Sequence, residues 1–126
     1  MIAGIGTDLC EIRRIEKSLN SPAFRRNVFG EEERAFLEGL SDRKRPESAA
    51  ANFAAKEAFL KALGKGLGDL PLGDIQTLRR DSGEPYFALT GKAQAALQEK
   101  GLTAHLSLGH EAGLALAFVI LEKAAD

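Results

Sequence analysis

The chain has 126 residues, of which 44% are hydrophobic and 28% charged, and its formal net charge is −1 at pH 7. This length suits one domain, predicted over residues 1–126, and the apolar fraction excludes a disordered chain because enough surface can be buried to offset the entropy of ordering. The nearly balanced charge argues against a nucleic-acid-binding protein, which is normally strongly basic. A single cysteine, Cys10, suits a reducing compartment, and no apolar run approaches the length of about 18 residues that a membrane span needs, so we expect a cytoplasmic protein without a membrane partner.

The chain opens with the alternation of a β-strand, in which Gly4, Gly6 and Asp8 share one side. Because glycine weakens a strand, two of them on one side predict that another part of the backbone approaches closely there. From Leu9 the apolar residues follow a helical period instead, and the segment Asn20-Ser21-Pro22 is expected to end this helix.

Two further helices are predicted before the next strand. The first runs from Glu31 to about Leu40 and has three acidic residues in its first turn, where the helix dipole favours them. A basic loop, residues 43–46, separates it from the longest helical segment, residues 47–63, which is rich in alanine and ends at Gly64.

The second half of the chain is predicted to contain four strands and one helix. Residues 75–80 and 85–89 form a hairpin, Thr90 caps the helix that follows, and residues 104–108 and 114–121 are the closing strands. The last of these is apolar on both faces, so it is either central in the sheet or covered by another subunit. The order β-α-α-α-β-β-α-β-β predicts an α+β fold.

The longest helix contains a candidate catalytic pair. Glu57 lies one helical turn before Lys61, and Lys61 lies beside the glycine-rich segment 64–68. This spacing is common in surface ion pairs, which stabilise a helix by about 0.2–0.5 kcal/mol. If Asp8 meets Glu57, the alternative is a magnesium site, because Mg²⁺ usually takes two carboxylates from the protein and leaves its other positions to water and phosphate oxygens. Lys61 and backbone N–H groups of the glycine-rich segment would then bind the same phosphates.

Two segments of the chain resemble the signatures of a known enzyme family. The first is Gly4-Ile5-Gly6-Thr7-Asp8-Leu9-Cys10-Glu11-Ile12, and the second is Phe53-Ala54-Ala55-Lys56-Glu57-Ala58-Phe59-Leu60-Lys61-Ala62-Leu63-Gly64. Both are similar to the signatures of the bacterial holo-[acyl-carrier-protein] synthases, the small-type branch of the 4′-phosphopantetheinyl transferase superfamily. Residues 83–86 and the closing strand His105-Leu106-Ser107-Leu108 extend the resemblance over nearly the whole chain.

The resemblance implies transfer of the phosphopantetheine group from coenzyme A to a serine of apo-acyl carrier protein, with release of adenosine 3′,5′-bisphosphate, in fatty acid biosynthesis. It also implies an antiparallel sheet packed against a long helix. In this family the residues matching Asp8 and Glu57 bind Mg²⁺, for which Mn²⁺ can substitute, and the lysine matching Lys61 lies at the coenzyme A diphosphate. The family is typically a homotrimer with active sites at its interfaces. The contacts to coenzyme A that the resemblance implies here are Lys61, Gly64, Gly66, Pro85, His105 and Ser107.

Two groups are candidates to accept the proton of the attacking serine. A water held by Mg²⁺ can accept it. His105 can also do so, because an imidazole with an unperturbed pKa of about 6.5 suits proton transfer at neutral pH. Ser107 lies two residues further, so both side chains point to one side of the strand. The alternative for His105 is a purely structural hydrogen bond.

The surface for the carrier protein is predicted from charge. Acyl carrier proteins of this kind are strongly acidic, so their synthase should present basic residues near the site. Arg13, Arg14 and Lys17 follow the first strand, and Arg25 lies further along the chain. The family's carrier contacts lie mainly on this first helix. The alternative is that these residues form a solvated helix face, which is the more common role of such residues.

Three positions depart from the usual pattern of the family. Lys65 stands where relatives often have threonine, Asn52 where some have arginine, and Gly109 where serine or threonine is commoner. We therefore expect local contacts to coenzyme A to differ at these positions.

Two other functions compete with a phosphopantetheinyl transferase. A catalytically silent module that binds a carrier protein or a nucleotide would keep the basic helix but would not need Asp8, Glu57 and Lys61 together. Another metal-dependent phosphate enzyme, such as a hydrolase, would need the richer carboxylate or histidine set of a two-metal site.

Overall fold

The computed structural model describes residues 1–125, and Asp126, the last residue of the predicted domain, lies outside the described residues. A short 3₁₀ helix, Leu72–Asp74, precedes the second strand. No helix in residues 1–125 has both the length and the apolar character needed to cross a membrane. The described elements, in chain order, are β1 (Ile2–Glu11), α1 (Ile12–Ser18), α2 (Pro22–Val28), α3 (Glu31–Glu38), α4 (Lys44–Ala62), β2 (Ile75–Arg79), β3 (Pro85–Leu89), α5 (Gly91–Lys100), β4 (Leu102–Glu111) and β5 (Leu114–Lys123).

The strands form two antiparallel sheets, which confirms the α+β class. One has the order β1-β5-β4, and β2 and β3 form the other as the predicted hairpin. Of the two alternatives for the last strand, the central position is confirmed, because β5 lies between β1 and β4. Its inward side chains, such as Ala117 and Val119, are fully buried beneath α4. Its outward side chains stay uncovered in the single chain, with exposed fractions of 39% for Leu114, 43% for Leu116 and 38% for Phe118.

Helix α4 lies directly on the glycines of β1. A Cβ atom on Gly4 would lie 2.1 Å from the carbonyl oxygen of Ala62, and one on Gly6 would lie 2.0 Å from that of Ala58. No side chain fits at such distances, so only glycine lets the helix backbone reach the strand. The predicted close approach is confirmed, and it brings the C-terminal half of α4 alongside Asp8.

The structure contains one helix more than the predicted element order, because α2 follows α1 before α3. The segment Asn20-Ser21-Pro22 ends α1 as expected, but it also begins a helix. The Ser21 Oγ accepts a hydrogen bond from the backbone N–H of Phe24 at 3.2 Å, and Pro22 occupies the first helical position. Serine at the N-cap followed by proline is a helix-start pattern. The prediction that the segment ends a helix is confirmed, and the predicted element order lacked the helix that begins there.

Three predicted boundaries are corrected by the structure. Strand β1 continues to Glu11 instead of giving way to a helix at Leu9. Helix α4 begins at Lys44, so the predicted basic loop belongs mostly to its first turn, where a proline loses no internal hydrogen bond. Thr90 precedes α5, but its side chain makes no capping hydrogen bond. The Asp74 carboxylate instead accepts a hydrogen bond from the backbone N–H of Lys92 at 3.1 Å.

A buried ion pair joins α3 to α4. The ammonium group of Lys56 donates hydrogen bonds to Glu33 Oε1 at 2.6 Å and to the carbonyl oxygens of Leu72 at 3.0 Å and Ile75 at 2.8 Å. Burial raises the pKa of Glu33 and lowers the pKa of Lys56, and their mutual pairing opposes both shifts. All three N–H donors of the ammonium group have partners, which is the arrangement that a buried charge requires.

Candidate active site

Asp8 and Lys61 meet where α4 crosses β1. The Lys61 Nζ lies 3.0 Å from Asp8 Oδ1 and 3.0 Å from the carbonyl oxygen of Thr7. The Asp8 side chain is only 11% exposed, whereas that of Lys61 is 56% exposed. No ion pair between Glu57 and Lys61 is present in the described part of the chain. Lys61 therefore links a helix to a strand instead of forming the common pair along one helix.

Glu57 lies beside the same aspartate. Burial raises the pKa of Glu57 above its ordinary value of 4.5, and a hydrogen bond and the negative charge of Asp8 raise it further. The nearby cations Lys61 and Arg14 act in the opposite direction. Two carboxyl groups within hydrogen-bond reach repel each other when both are ionised, which raises the pKa of Glu57. The structure thus brings together two acidic side chains that lie far apart along the chain, Asp8 and Glu57, which we call the acidic pair.

This acidic pair fits a magnesium ion. Within residues 1–125, no group of three or more His, Cys, Asp or Glu side chains is placed to hold a metal. Asp8 and Glu57 together offer two carboxylates. Mg²⁺ is commonly bound by one or two carboxylates together with waters and substrate phosphates. A divalent cation would also remove the repulsion that raises the pKa of Glu57.

Arg14 of α1 lies near the acidic pair, and its charge lowers the pKa of Glu57. The Arg14 guanidinium donates to the Cys10 sulfur at 3.8 Å and lies 5.9 Å from the centre of the Phe53 ring. Arg13 and Lys17 are exposed on the same helix. Arg25 is exposed on α2, and its guanidinium donates to the carbonyl oxygen of Leu19. The four predicted carrier-protein contacts are thus spread over α1 and α2, and Arg14 is the one that acts on Glu57.

The glycine-rich segment begins directly after α4. Gly64 has a φ of +72°, which favours glycine, and it ends the helix as predicted. The backbone N–H of Gly66 donates to the Asp69 carboxylate at 2.7 Å. This segment is exposed and lies one helical turn beyond Lys61.

The structure does not bring His105 and Ser107 to the acidic pair of the same chain. His105 lies opposite Ile120 and Ser107 opposite Phe118, on the outer face of the sheet, while Asp8 faces α4 on the inner face. The His105 Nε2 lies 3.0 Å from Glu122 Oε1. Pro85 lines a separate cavity between the hairpin, α4 and β4.

The family of the chain is shown by comparison with known proteins. Residues 4–119 match the family described as the 4′-phosphopantetheinyl transferase superfamily. The chain belongs to this superfamily. It is 45% identical over 123 residues to a holo-[acyl-carrier-protein] synthase of Treponema denticola, covering 97% of this chain and 99% of the relative. A holo-[acyl-carrier-protein] synthase of Myxococcus xanthus is 42% identical over 128 residues, covering 99% and 98% of the two chains.

Solved structures of phosphopantetheinyl transferases share the fold. A holo-(acyl-carrier-protein) synthase from Bacillus anthracis in complex with CoA (3′,5′-ADP) has a TM-score of 0.83 and 36% identity, covering 98% of this chain and 99% of the other. The holo-[acyl-carrier-protein] synthase from Neisseria meningitidis has a TM-score of 0.86 and 35% identity, covering 98% and 100%. These likenesses confirm the fold that the two sequence signatures predicted.

The buried ion pair of Glu33 and Lys56 was not predicted from the sequence. The available signal was a lysine within an apolar helical stripe, since Phe53, Lys56 and Leu60 share one face of α4. A charged residue on such a face requires a buried partner. The identity of that partner depends on how α3 packs, which no local pattern indicates.

Proposed function

We propose that this chain is a holo-[acyl-carrier-protein] synthase, which transfers the 4′-phosphopantetheine group of coenzyme A to a serine of apo-acyl carrier protein. We propose a single domain over residues 1–126 that serves fatty acid biosynthesis in the cytoplasm. The observation that carries the proposal is the convergence of Asp8, Glu57 and Lys61 from distant parts of the sequence. The resemblance to holo-[acyl-carrier-protein] synthases over nearly the full length of both chains supports it.

The reaction forms a bond between the serine oxygen and the phosphorus next to pantetheine, and it breaks the bond from that phosphorus to the bridging oxygen. Adenosine 3′,5′-bisphosphate leaves with the bond electrons. Lys61 binds the diphosphate and stabilises the charge that develops on the leaving phosphate, and its hydrogen bonds to Asp8 and Thr7 hold the ammonium group in place. Mg²⁺, or Mn²⁺ in its place, held by Asp8 and Glu57 would supply Lewis-acid polarisation of the phosphate oxygens.

Further contacts to the substrates are proposed around this centre. Gly64 and Gly66 lie beyond Lys61 and would contact the coenzyme A phosphates, and Pro85 is proposed as a further contact to coenzyme A. Carrier-protein binding is assigned to the exposed basic side chains of α1 and α2, whose positive charge complements an acidic partner. These side chains are Arg13, Arg14, Lys17 and Arg25.

The active form is proposed to be a homotrimer with active sites at its interfaces. The outer face of the three-stranded sheet is apolar and exposed, with exposed fractions of 61% for both Ile5 and Leu9. Together with the outward side chains of β5, these residues form the apolar outer face, an exposed surface of the kind that marks an interaction site. A neighbouring copy covering this face would bring His105 and Ser107, which lie on it, to another chain's site. His105, whose ring is held by Glu122, then accepts the serine proton.

The reaction class is tested by mass spectrometry of an apo-acyl carrier protein. We expect a gain of about 340 Da, the mass of phosphopantetheine as a carried group, only when the protein, coenzyme A and Mg²⁺ are all present. No gain under these conditions would refute the transferase and favour a silent binding module. His105→Gln separates the two candidate bases, because the enzyme keeps its rate if water alone accepts the proton.

A further inference from the structure

A cavity of about 470 Å³ lies between α1, α2, α3 and the beginning of α4. This volume falls in the range of about 300–1,000 Å³ that is usual for small-molecule sites. Three buried side chains, Phe29, Leu37 and Pro46, give the cavity an apolar wall. The charged side chains around this wall carry both signs and comprise Glu16, Arg25, Arg34, Glu38, Asp42 and Arg45. Such a lining suits an organic ligand with an apolar body and a charged group.

The cavity lies on the other side of α1 from the acidic pair. The charge of Arg14 acts on Glu57, whereas Glu16 lines the cavity. Arg14 and Glu16 are two residues apart, which places their side chains about 200° apart around a helix. Asp8, Glu57 and Lys61 are not among the described residues that line the cavity. A ligand bound there would therefore occupy a site separate from the proposed reaction.

One arginine of the cavity is already used by the chain itself. The Arg45 Nε donates to the Leu37 carbonyl oxygen at 2.9 Å, and Nη2 donates to that of Leu40 at 2.7 Å. Its Nη1 donates to the Asp42 carboxylate at 2.9 Å. These contacts bind the end of α3 to the start of α4, so we assign Arg45 and Asp42 a structural role.

Arg34 lines the cavity without a carboxylate partner in residues 1–125. The arginine is half-buried, and its Nη1 donates to the Phe29 carbonyl oxygen at 2.6 Å. That contact holds the guanidinium beside the apolar wall. It uses one of the five N–H donors of a guanidinium, so the others remain for a ligand.

The remaining charges of the wall are more exposed than Arg34. Within the described residues, Arg25 also has no ion pair, and its guanidinium donates to the carbonyl oxygen of Leu19. Glu16 and Glu38 are exposed and stay hydrated. A charge that is partly withdrawn from water gains more from a counter-ion than an exposed one does. The site is therefore expected to select a ligand by its negative group.

We propose that this cavity binds an apolar monocarboxylic acid, whose carboxylate meets Arg34 and Arg25 and whose apolar body packs on Phe29 and Leu37. The planar fork of a guanidinium matches the two oxygens of a carboxylate. A single negative charge is favoured, because the carboxylates of the wall repel an anion of higher charge. The inference goes beyond the proposed function, since it adds a ligand site that takes no part in the reaction.

The test is isothermal titration calorimetry of the full chain with sodium decanoate. Arg34→Gln should raise the Kd for decanoate by about 10- to 100-fold, the range for losing charge-assisted hydrogen bonds. The matched control is Arg26→Gln, because Arg26 is an exposed arginine of α2 outside the cavity lining. It should leave the Kd unchanged. Equal Kd values for wild-type protein and Arg34→Gln would overturn the inference.

Two other ligands separate the parts of the proposed site. Decanol lacks the charge and acetate lacks the apolar body, so each should bind wild-type protein at least about 10-fold more weakly than decanoate does. Decanol that binds as tightly as decanoate would show that the guanidinium groups take no part. Acetate that binds as tightly would show that the apolar wall takes no part, and either result would overturn the inference.

Nuclear Overhauser effects on wild-type protein keep the inference testable if Arg34→Gln does not fold. Contacts from the decanoate chain to the ring of Phe29 would support the proposed position. Contacts that reach only Phe118, on the apolar outer face, would overturn it, as would an absence of decanoate binding. These measurements need neither coenzyme A nor a carrier protein, so they stand or fall independently of the transferase assay.

Discussion

Replacing Glu57 with glutamine tests whether the acidic pair binds a metal ion. The change keeps the size of the side chain and removes the charge that Asp8 repels. Because the folded pKa of Glu57 lies above its ordinary value of 4.5, the folded protein holds the proton more tightly than the unfolded chain. Without metal, the wild-type protein therefore loses stability as the pH rises from 4.5 through the raised pKa, and Glu57→Gln should not show that loss.

Magnesium should change this comparison. At ten times its Kd, a bound ion stabilises the wild-type protein by about 1.4 kcal/mol, which corresponds to about 3–6 °C in Tm for a domain of this size. Glu57→Gln should lose most of this shift. It should also lose at least about 100-fold in kcat/KM, because it removes one of the two carboxylates that would hold the ion at the phosphates.

Thermal melts with and without Mg²⁺ at pH 8, together with the carrier-protein mass assay, provide the measurements. The matched control is Glu99→Gln, an exposed glutamate of α5 that should retain both the magnesium shift and the turnover. If Glu57 takes no part in binding a metal ion, the variant would keep both its activity and the magnesium shift. An unchanged magnesium shift in Glu57→Gln would refute the reasoning.

Three further predictions concern folding and assembly. Glu33→Gln should lower the free energy of unfolding, measured in urea, by about 3–5 kcal/mol, because it leaves the buried ammonium group of Lys56 without a counter-charge. A loss below about 1 kcal/mol would show that the negative charge is not needed. Gly6→Ala should lower Tm, because its Cβ would lie 2.0 Å from the α4 backbone. The control Gly109→Ala should lower Tm less, because its Cβ would meet nothing within 4 Å. Equal effects of the two substitutions would contradict this packing. Phe118→Glu should convert a trimer to monomers, as measured by light scattering. The control Leu67→Glu, at an exposed position outside the sheet, should leave the trimer intact. A trimer that survives Phe118→Glu would place the interface elsewhere.

Local chemistry was sufficient to predict most elements of this fold. Gly64 and Gly101 each end a helix with a positive φ, and the acidic first turn of α3 marks its beginning. These signals act within a few residues, so they can be read without knowing the rest of the molecule. The same short range explains the missed helix α2, since Ser21 and Pro22 can end one helix and begin another.

The candidate residues of the site were also evident from the sequence, but not their partners. The two signatures identified Asp8, Glu57 and Lys61 as a set. The structure shows that Lys61 pairs with Asp8 and not with Glu57, because glycines in β1 let α4 lie against the strand. That contact depends on the packing of segments far apart along the chain, which residue spacing does not specify.

Amino-acid order by itself determined the class of fold, the family and the residue types available for phosphate chemistry, because periodicity, helix caps and contiguous motifs are properties of neighbouring residues. Only the tertiary structure decided which charges are paired. It placed His105 on the outer face of the sheet and paired the buried Lys56 with Glu33. Which side chains are paired and which are exposed depends on how sheets and helices pack, and this packing joins residues that lie far apart along the chain.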